Sequence, residues 1–150
     1  MIAVSLVTVT PLFVGLVSVF VAAGVACFAS VRRARHIEDP DTRRGLMALL
    51  ATSAGWAGTH AGLLATPGEE GKRLVYLVGL VFGFSTVFAW LYFCSAYTGR
   101  TYHRRPAVRR AALALYVAVV AVKITNPYHH LYFTTAVVQS PFPHLAIRQG

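Results

Sequence analysis

Histidine is the residue type in this sequence whose positions first suggest chemistry. His60 lies within an apolar run, where an ionisable side chain is costly and normally faces a protein interior. It is expected either to serve a ligand or a proton, or to form a hydrogen bond as a neutral imidazole with a neighbouring helix. His129 and His130 are adjacent, so their side chains point in different directions, and with His144 they do not make a metal or haem constellation. The sequence therefore predicts no metal site and no cofactor.

The acidic residues and cysteines argue against catalysis. All five carboxylates lie outside the apolar runs: Glu38, Asp39, Asp41, Glu69 and Glu70. The first three share a loop with arginines, and we expect them to form a solvated turn of mixed charge. The sequence has no carboxylate pair within a span, no nucleophile motif and no glycine-rich phosphate loop, and its two cysteines are not a CxxC pair. We therefore expect no catalytic residue and no enzyme activity in this chain.

The elements that must position these residues are long apolar segments. Of the 150 residues, 56% are hydrophobic and 13% are charged, whereas about a quarter are charged in a soluble domain. A helix that crosses a bilayer needs about 20 apolar residues, and the candidates are 2–31, 46–66, 74–97 and 107–125. The last is long enough only if Lys123 and flanking arginines extend their aliphatic stems to the interfaces. The sequence thus predicts an all-α integral membrane bundle, one domain of four transmembrane helices with a tail at 126–150.

Basic residues set the expected orientation of these helices. Of the 14 lysines and arginines, 10 fall in the loops after the first and third helices. They are Arg32, Arg33, Arg35, Arg43, Arg44, Arg100, Arg104, Arg105, Arg109 and Arg110. The positive-inside rule places both loops in the cytoplasm, and the N-terminus, the second loop and the tail outside. The net charge of +9 is then an orientation signal, so the expected partner is the lipid bilayer of the cell membrane and not nucleic acid.

Small residues mark the expected contacts between helices. Helices in lipid associate through close packing of small side chains. The second helix carries such residues at steps of four, three and four, and the third carries a glycine pair spaced by four. These residues are Ala51, Gly55, Gly58, Gly62, Gly79 and Gly83. We expect the second and third helices to pack tightly there, with a homodimer face as the alternative, and leucine at Gly58 and Gly62 to disturb the bundle.

Two short motifs close the third and fourth helices. The third ends in Tyr97-Thr98-Gly99-Arg100, and the fourth in Thr125-Asn126-Pro127-Tyr128-His129-His130-Leu131. Together they resemble the N-terminal seven-helix membrane region of sensor histidine kinases, which has Tyr-Thr-Gly-Arg at one helix end and Thr-Asn-Pro-x-His-x-Leu after the next. The matching positions are Tyr97, Thr98, Gly99, Arg100, Thr125, Asn126, Pro127, His129 and Leu131. Gly99 is expected to turn the chain, and Asn126-Pro127 to stop the fourth helix.

The resemblance implies a sensory input role in two-component signal transduction. Proteins of that family have three further helices and continue into cytoplasmic kinase modules, whereas these 150 residues end in what would be the outer loop after the fourth helix. Kinase activity would need a module that this sequence does not contain. The residues expected to contact a stimulus are His60, Asn126, His129 and His130. A second copy of the chain or a separate signalling protein is the expected protein partner.

An alternative without signalling stays open. The chain would then be a small oligomerising multi-pass membrane protein, such as an assembly or transport subunit. A transport path should place several polar side chains on one shared helix face. Within the apolar runs only His60 and scattered serines and threonines are available, which weighs against transport and favours the sensory interpretation.

Overall fold

The computed structural model describes residues 11–130, 133–138 and 144–149, which form four helices and a β-hairpin. The helices are α1 (Pro11–Ala34), α2 (Pro40–Ala65), α3 (Glu69–Tyr97) and α4 (Pro106–His129), with a 3-10 turn at Tyr102–Arg104. The strands are β1 (Phe133–Val138) and β2 (His144–Gln149). The predicted helical class is confirmed, and so is the order of the four helices.

α2 and α3 begin earlier than the apolar runs predict, because polar capping signals precede those runs. The Asp39 carboxylate accepts a hydrogen bond from the Thr42 amide at 2.6 Å, and Pro40 takes the first helical position. A proline is favourable there, since that N–H has no partner within a helix. α3 likewise begins with two acidic residues, Glu69 and Glu70, whose charges favour a helix N-terminus.

α1 and α4 both run beyond their predicted ends. α1 continues to Ala34, while the predicted segment 2–10 lies outside the described residues. The predicted stop at Asn126-Pro127 is wrong, because Pro127 lies inside α4. The helix is closed by His130 in the left-handed conformation (φ 53°), whose amide donates to the Asn126 carbonyl at 2.8 Å. Proline is tolerated so near the end because it removes a hydrogen bond from the last turn only.

A β-hairpin occupies part of the segment that the sequence predicts only as an outer tail. β1 and β2 are antiparallel, with Phe133 opposite Gln149 and Val138 opposite His144. β1 is rich in threonine and valine, whose branched side chains favour extended backbone. β2 also contacts α3, so the tail is part of the fold.

α2 is the central helix, and its contact with α3 is antiparallel and unusually close. α2 packs against both α1 and α3, and α4 packs against α3. A Cβ added at Gly45 would lie 2.8 Å from the Phe93 Cα, and one added at Gly55 would lie 2.5 Å from the Phe82 ring. Real Cβ atoms essentially never come within 3.0 Å of another heavy atom in this way. The observed separation of the two helices therefore requires glycine at Gly45, where the neighbour is backbone, while a side chain at Gly55 would force the Phe82 ring to shift.

The other predicted packing positions divide into two groups. Gly62, Gly79 and Gly83 face the partner helix, where an added Cβ would lie 3.0 to 3.5 Å from the nearest side-chain atom. At Gly58 an added Cβ would meet nothing within 4 Å, and Ala51 is exposed. Gly58 is therefore not part of the α2–α3 contact, whereas the prediction that leucine at both Gly58 and Gly62 disturbs the bundle stays a prediction.

α1 and α3 are the two described helices that are long and apolar enough to cross a membrane. Many of their large apolar side chains are exposed: Val19, Val25 and Phe28 of α1 are 63–66% exposed. Such a surface is unfavourable in water, whereas lipid tails accommodate it. α2 and α4 do not qualify as spans on their own, and the four-span topology stays a prediction.

Replacing Gly45 with alanine is expected to destabilise the protein, because the new Cβ meets the α3 backbone at Phe93. Overpacking costs about 1–3 kcal/mol, which outweighs the gain of about 1 kcal/mol from removing a helical glycine. The matched variant Gly58→Ala enters open space and is expected to be neutral or stabilising. Thermal unfolding in detergent measures both, and equal midpoints for the two variants would contradict the close contact.

Candidate functional site

Two segments that are distant in sequence meet at one end of the helices. Asp41 lies in the first turn of α2, two residues after the Asp39 cap. Beyond the end of α3 the chain turns at Gly99, whose φ is 69°, a conformation that glycine adopts without strain. The 3-10 turn then brings His103 and Arg104 to the Asp41 carboxylate. The turn predicted at Gly99 is thus confirmed.

We call the polar group formed there the loop cluster; it consists of Asp41, Tyr92, Ser95, His103 and Arg104. Asp41 is its centre: Oδ2 accepts from Arg104 Nη2 at 2.6 Å and from His103 Nε2 at 3.1 Å. The Tyr92 hydroxyl donates to Oδ1 at 3.4 Å. On the other side of the imidazole, His103 Nδ1 lies 3.0 Å from Ser95 Oγ. One carboxylate therefore joins α2, α3 and the 3-10 turn.

Hydrogen bonds hold Asp41 in its ionised form. The Asp41 side chain is 17% exposed and that of His103 is 5% exposed. The hydrogen bond from His103, followed by that from Arg104, lowers the pKa of the Asp41 carboxyl from 3.8 to about 2. The pKa of the Asp39 carboxyl is also lowered, because it accepts hydrogen bonds from Thr42. Both carboxylates are consequently charged at neutral pH.

Arginines surround the loop cluster on its exposed side. Arg100 and Arg105 place their guanidinium carbons over the Tyr102 ring, 5.8 and 5.3 Å from its centroid. Both arginines are exposed, and the segment 98–110 contains no acidic residue. Arg104 is neutralised by Asp41, so Arg100 and Arg105 give this end of the molecule exposed positive charge. Such charge attracts anionic lipid headgroups.

The structure places His60 between α1 and α2, in an aromatic setting. Its ring centroid lies 5.1 Å from that of Phe20 on α1 and 4.8 Å from that of Trp56 on α2. Its Nδ1 lies 2.9 Å from the Trp56 carbonyl oxygen, which only accepts, so Nδ1 carries a proton. The hydrogen-bond partner is thus one turn away on the same helix, and not on a neighbouring helix as expected.

The other three predicted ligand residues lie at the end of α4. Thr125 Oγ1 and His129 Nε2 are 3.1 Å apart, and Asn126 is only 2% exposed. His130 stands in the left-handed cap position. Because α4 packs against α3 while His60 lies between α1 and α2, the structure separates the four predicted ligand residues into two places.

Two lysines are buried within the helices. Lys123 is 7% exposed, and its Nζ lies 5.6 Å from the centroid of the Phe84 ring. A helical side chain leans towards the N-terminus of its own helix, which here directs the ammonium into the bundle and not to the interface that the sequence predicts. Lys72 is 5% exposed and donates to the Leu63 carbonyl at 3.0 Å. This bond links the start of α3 to the end of α2.

Sequence reasoning missed the loop cluster. The prediction of a solvated turn is wrong for Asp41, because His103 and Arg104 bind it, whereas Glu38 in the same loop is exposed. One signal was available: the segment between α3 and α4 has many arginines and no acid, so any ion pair that these arginines form needs a carboxylate from another segment. The partners are 62 residues apart in sequence, a separation over which local patterns carry no information.

Within residues 11–130, 133–138 and 144–149, no three His, Cys, Asp or Glu side chains are grouped so as to hold a metal ion. The loop cluster contributes one imidazole and one carboxylate, and both are engaged in the hydrogen bonds described above. Cys27 and Cys94 are free thiols. The expected absence of metal and cofactor stays a prediction.

The sequence that contains the two helix-end motifs matches that of a known family. A family model described as the N-terminal 7TM region of histidine kinase matches residues 12–150. The chain belongs to this family. No curated protein and no solved structure matches the chain. In this histidine-kinase membrane region, the motif at Tyr97–Arg100 begins with the last residue of α3 and continues into the following turn, while Leu131 lies outside the described residues. The family and the two apolar helices together indicate a membrane protein, and the matched region is not itself catalytic.

Asp41→Asn is expected to loosen the loop cluster, because a neutral amide attracts Arg104 less and accepts more weakly from His103. We expect a lower thermal midpoint at pH 7. Glu38→Gln removes the same charge from an exposed position of the same loop and is expected to leave the midpoint unchanged. Similar midpoints for the two variants would show that the cluster does not stabilise the fold.

The stabilisation by Asp41 has a defined pH dependence. Its pKa is depressed to about 2 in the folded protein from an ordinary 3.8. The contribution is therefore complete above about pH 4 and is lost as the pH falls through about 2. Thermal unfolding between pH 4 and pH 2 is expected to bring wild type and Asp41→Asn together. A midpoint difference that persists unchanged at about pH 2 would contradict this assignment.

Proposed function

We propose that this chain is the membrane sensory input region of a two-component signal-transduction protein. The observation that carries the proposal is the family match across residues 12–150. Histidine kinases keep their catalytic module apart from this membrane region, so the function that remains for the membrane region is to receive the input signal. The exposed apolar surfaces of α1 and α3 support the membrane location in this proposal, because they suit a lipid environment.

The proposed topology is a four-span bundle of the cell membrane with its N-terminus outside. The two loops rich in arginine then face the cytoplasm. The contact between Asp41 and Arg104, at 2.6 Å, supports this arrangement, because two loops on opposite sides of a bilayer cannot touch. The bond joins the start of α2 to the end of α3, as expected when both helices cross the bilayer in opposite directions.

A stimulus at the outer side is proposed to act through the packing of α2 on α3. Glycine contacts at Gly45 and Gly55 leave little free space between these helices, so a displacement at one end is carried along the pair. The loop cluster lies at the inner end of this contact. The outer contacts are proposed to come from His60, between α1 and α2, and from the end of α4.

The proposed output is a change at the cytoplasmic face. The residues proposed to contact a stimulus at the other face are His60, Asn126, His129 and His130. Exposed Arg100 and Arg105 are available to anionic lipid, to a second copy of the chain or to a separate signalling protein. These partners follow from charge and position, since guanidinium groups bind phosphates and carboxylates well.

Sidedness is tested with single cysteines in a background where Cys27 and Cys94 are replaced by alanine. Glu38→Cys and Thr101→Cys are expected to react with a membrane-impermeant maleimide only in inside-out vesicles. Glu70→Cys, in the turn at the start of α3, is expected to react only in right-side-out vesicles. All three positions are exposed, so lack of access within the protein does not explain a negative result. Labelling of all three from one side would overturn the topology.

Signalling is tested in the product of the complete gene, reconstituted in vesicles with radiolabelled ATP. Gly45→Ala is expected to change the rate of histidine phosphorylation by about fivefold or more, because it alters the α2–α3 contact. The control Gly58→Ala is expected to keep the wild-type rate. Folded Gly45→Ala protein with the wild-type rate would contradict transmission through the α2–α3 contact, whereas absence of phosphorylation in the wild type would favour the alternative of an oligomerising membrane protein without signalling.

A further inference from the structure

The turn between α3 and α4 carries positive charge that no carboxylate balances. Segments 32–44 and 98–110 each contain five arginines, but the first also contains three carboxylates and the second contains none. One of those three, Asp41, binds Arg104 of the second segment. Across the part of the chain that the structure describes, no carboxylate is paired with Arg100 or Arg105. Both guanidinium groups are therefore available to an anion from outside the chain.

The Tyr102 ring holds these two guanidinium groups near each other. Their carbons lie 5.8 and 5.3 Å from the ring centroid, within the range of a cation–π contact. A guanidinium group stacks on an aromatic ring through its face, while its N–H groups lie in its plane and stay able to donate. Such a contact restricts the long side chains without using their hydrogen-bond donors. Two positive charges near one ring also repel each other, and a bound anion relieves that repulsion.

The position of this pair in the fold favours a lipid phosphate as the anion. Tyr97 closes α3 and Pro106 begins α4, so in the proposed topology the turn lies at the level of the headgroups. Arg100, Tyr102 and Arg105 are all exposed, and the cytoplasmic leaflet carries anionic lipids. A second copy of the chain suits the pair less well, because the protein has five acidic residues and a net charge of +9.

We propose that Arg100, Tyr102 and Arg105 form a binding site for the phosphate of one anionic phospholipid. The guanidinium groups donate to the phosphate oxygens, a pairing to which arginine is well suited. Tyr102 is a positioning residue that holds them. A zwitterionic headgroup offers the same phosphate, but its own cation offsets the attraction. The lipid site rests on the membrane location of the proposed function, and it needs neither a signal nor a fixed sidedness.

A lipid in this site would fix the turn between α3 and α4 at the bilayer surface. The same turn is bonded to the start of α2, because His103 Nε2 lies 3.1 Å from Asp41 Oδ2. Anionic lipid would therefore restrain the pair of α2 and α3 at the end where the loop cluster lies.

Native mass spectrometry, which resolves individual lipids on a membrane protein, tests the site. The full chain in detergent is titrated with phosphatidylglycerol and, separately, with phosphatidylcholine. Wild type is expected to bind one phosphatidylglycerol about thirtyfold more tightly than phosphatidylcholine, from the attraction of two arginines. Arg100→Gln combined with Arg105→Gln is expected to remove this preference, because both donors to the phosphate are lost.

Matched variants separate a defined site from net charge. Arg32→Gln combined with Arg33→Gln removes the same charge from exposed positions at the end of α1 and is expected to keep the preference within about threefold. Tyr102→Leu keeps every charge and is expected to weaken phosphatidylglycerol binding about fivefold, because the arginines are no longer restrained. Tyr102→Phe keeps the ring and is expected to bind the lipid as wild type does.

Equal losses in the two double variants would show that net charge alone attracts the lipid, and would refute the site. So would a wild type without lipid preference, or Tyr102→Leu protein that binds as wild type does. A change in the dimer fraction without a change in lipid binding, visible in the same spectra, would instead assign the arginines to a second copy of the chain. The measurement uses neither phosphorylation nor sidedness. The lipid site can therefore fail while the sensory function holds, and the sensory function can fail while the lipid site holds.

Discussion

The close approach of α2 and α3 at two glycines is the constraint on which the rest of the structure depends. In lipid, apolar side chains gain little free energy by moving from lipid tails into a contact with another helix. Helices are therefore held together by dense packing and by hydrogen bonds between them. Gly45 lies one turn after Asp41 and against Phe93 and Tyr92. The contact at Gly45 therefore brings the Asp41 carboxylate within reach of Tyr92 and of the turn beyond α3. A larger residue at Gly45 would separate the two halves of the loop cluster.

The polar side chains of the helices are satisfied locally, which suits them to an apolar environment. Serines and threonines donate to backbone carbonyls one turn earlier: Ser30, Thr52, Thr59, Thr66, Ser85, Thr86, Thr98 and Thr125. Ser85 also bonds the Tyr116 hydroxyl at 2.8 Å, a link between α3 and α4. Across the part of the chain that the structure describes, no buried side-chain nitrogen or oxygen lacks a partner. Because these scattered hydroxyls bond within the protein, they do not indicate a polar pathway for transport.

Sequence patterns predict the features that depend on neighbours along the chain and miss those that depend on distant contacts. The helical class, the order of the helices and the turn at Gly99 follow from apolar run length and from glycine's freedom at positive φ. The role of Gly45 cannot be predicted from local patterns, because Gly45 precedes the apolar run and the residues that contact it lie on α3. Pro127 lies within α4, although on average the residue before a proline disfavours helical backbone. The loop cluster is missed because loop charges are usually solvated, and only the folded chain brings His103 to Asp41.

Only residues 66–68 separate α2 from α3, so the two helices form a tethered pair. The Thr66 hydroxyl donates to the Gly62 carbonyl at 2.7 Å, and the Lys72 ammonium donates to the Leu63 carbonyl at 3.0 Å. α3 is one of the two described helices that are long and apolar enough to cross a membrane, and α2 is not among them. On the proposed topology, the partitioning of α2 from the translocon into lipid is then governed by the combined hydrophobicity of the hairpin. A charged residue introduced into the middle of α3 would accordingly disfavour the insertion of both helices, at a cost of about 2.5–3.5 kcal/mol.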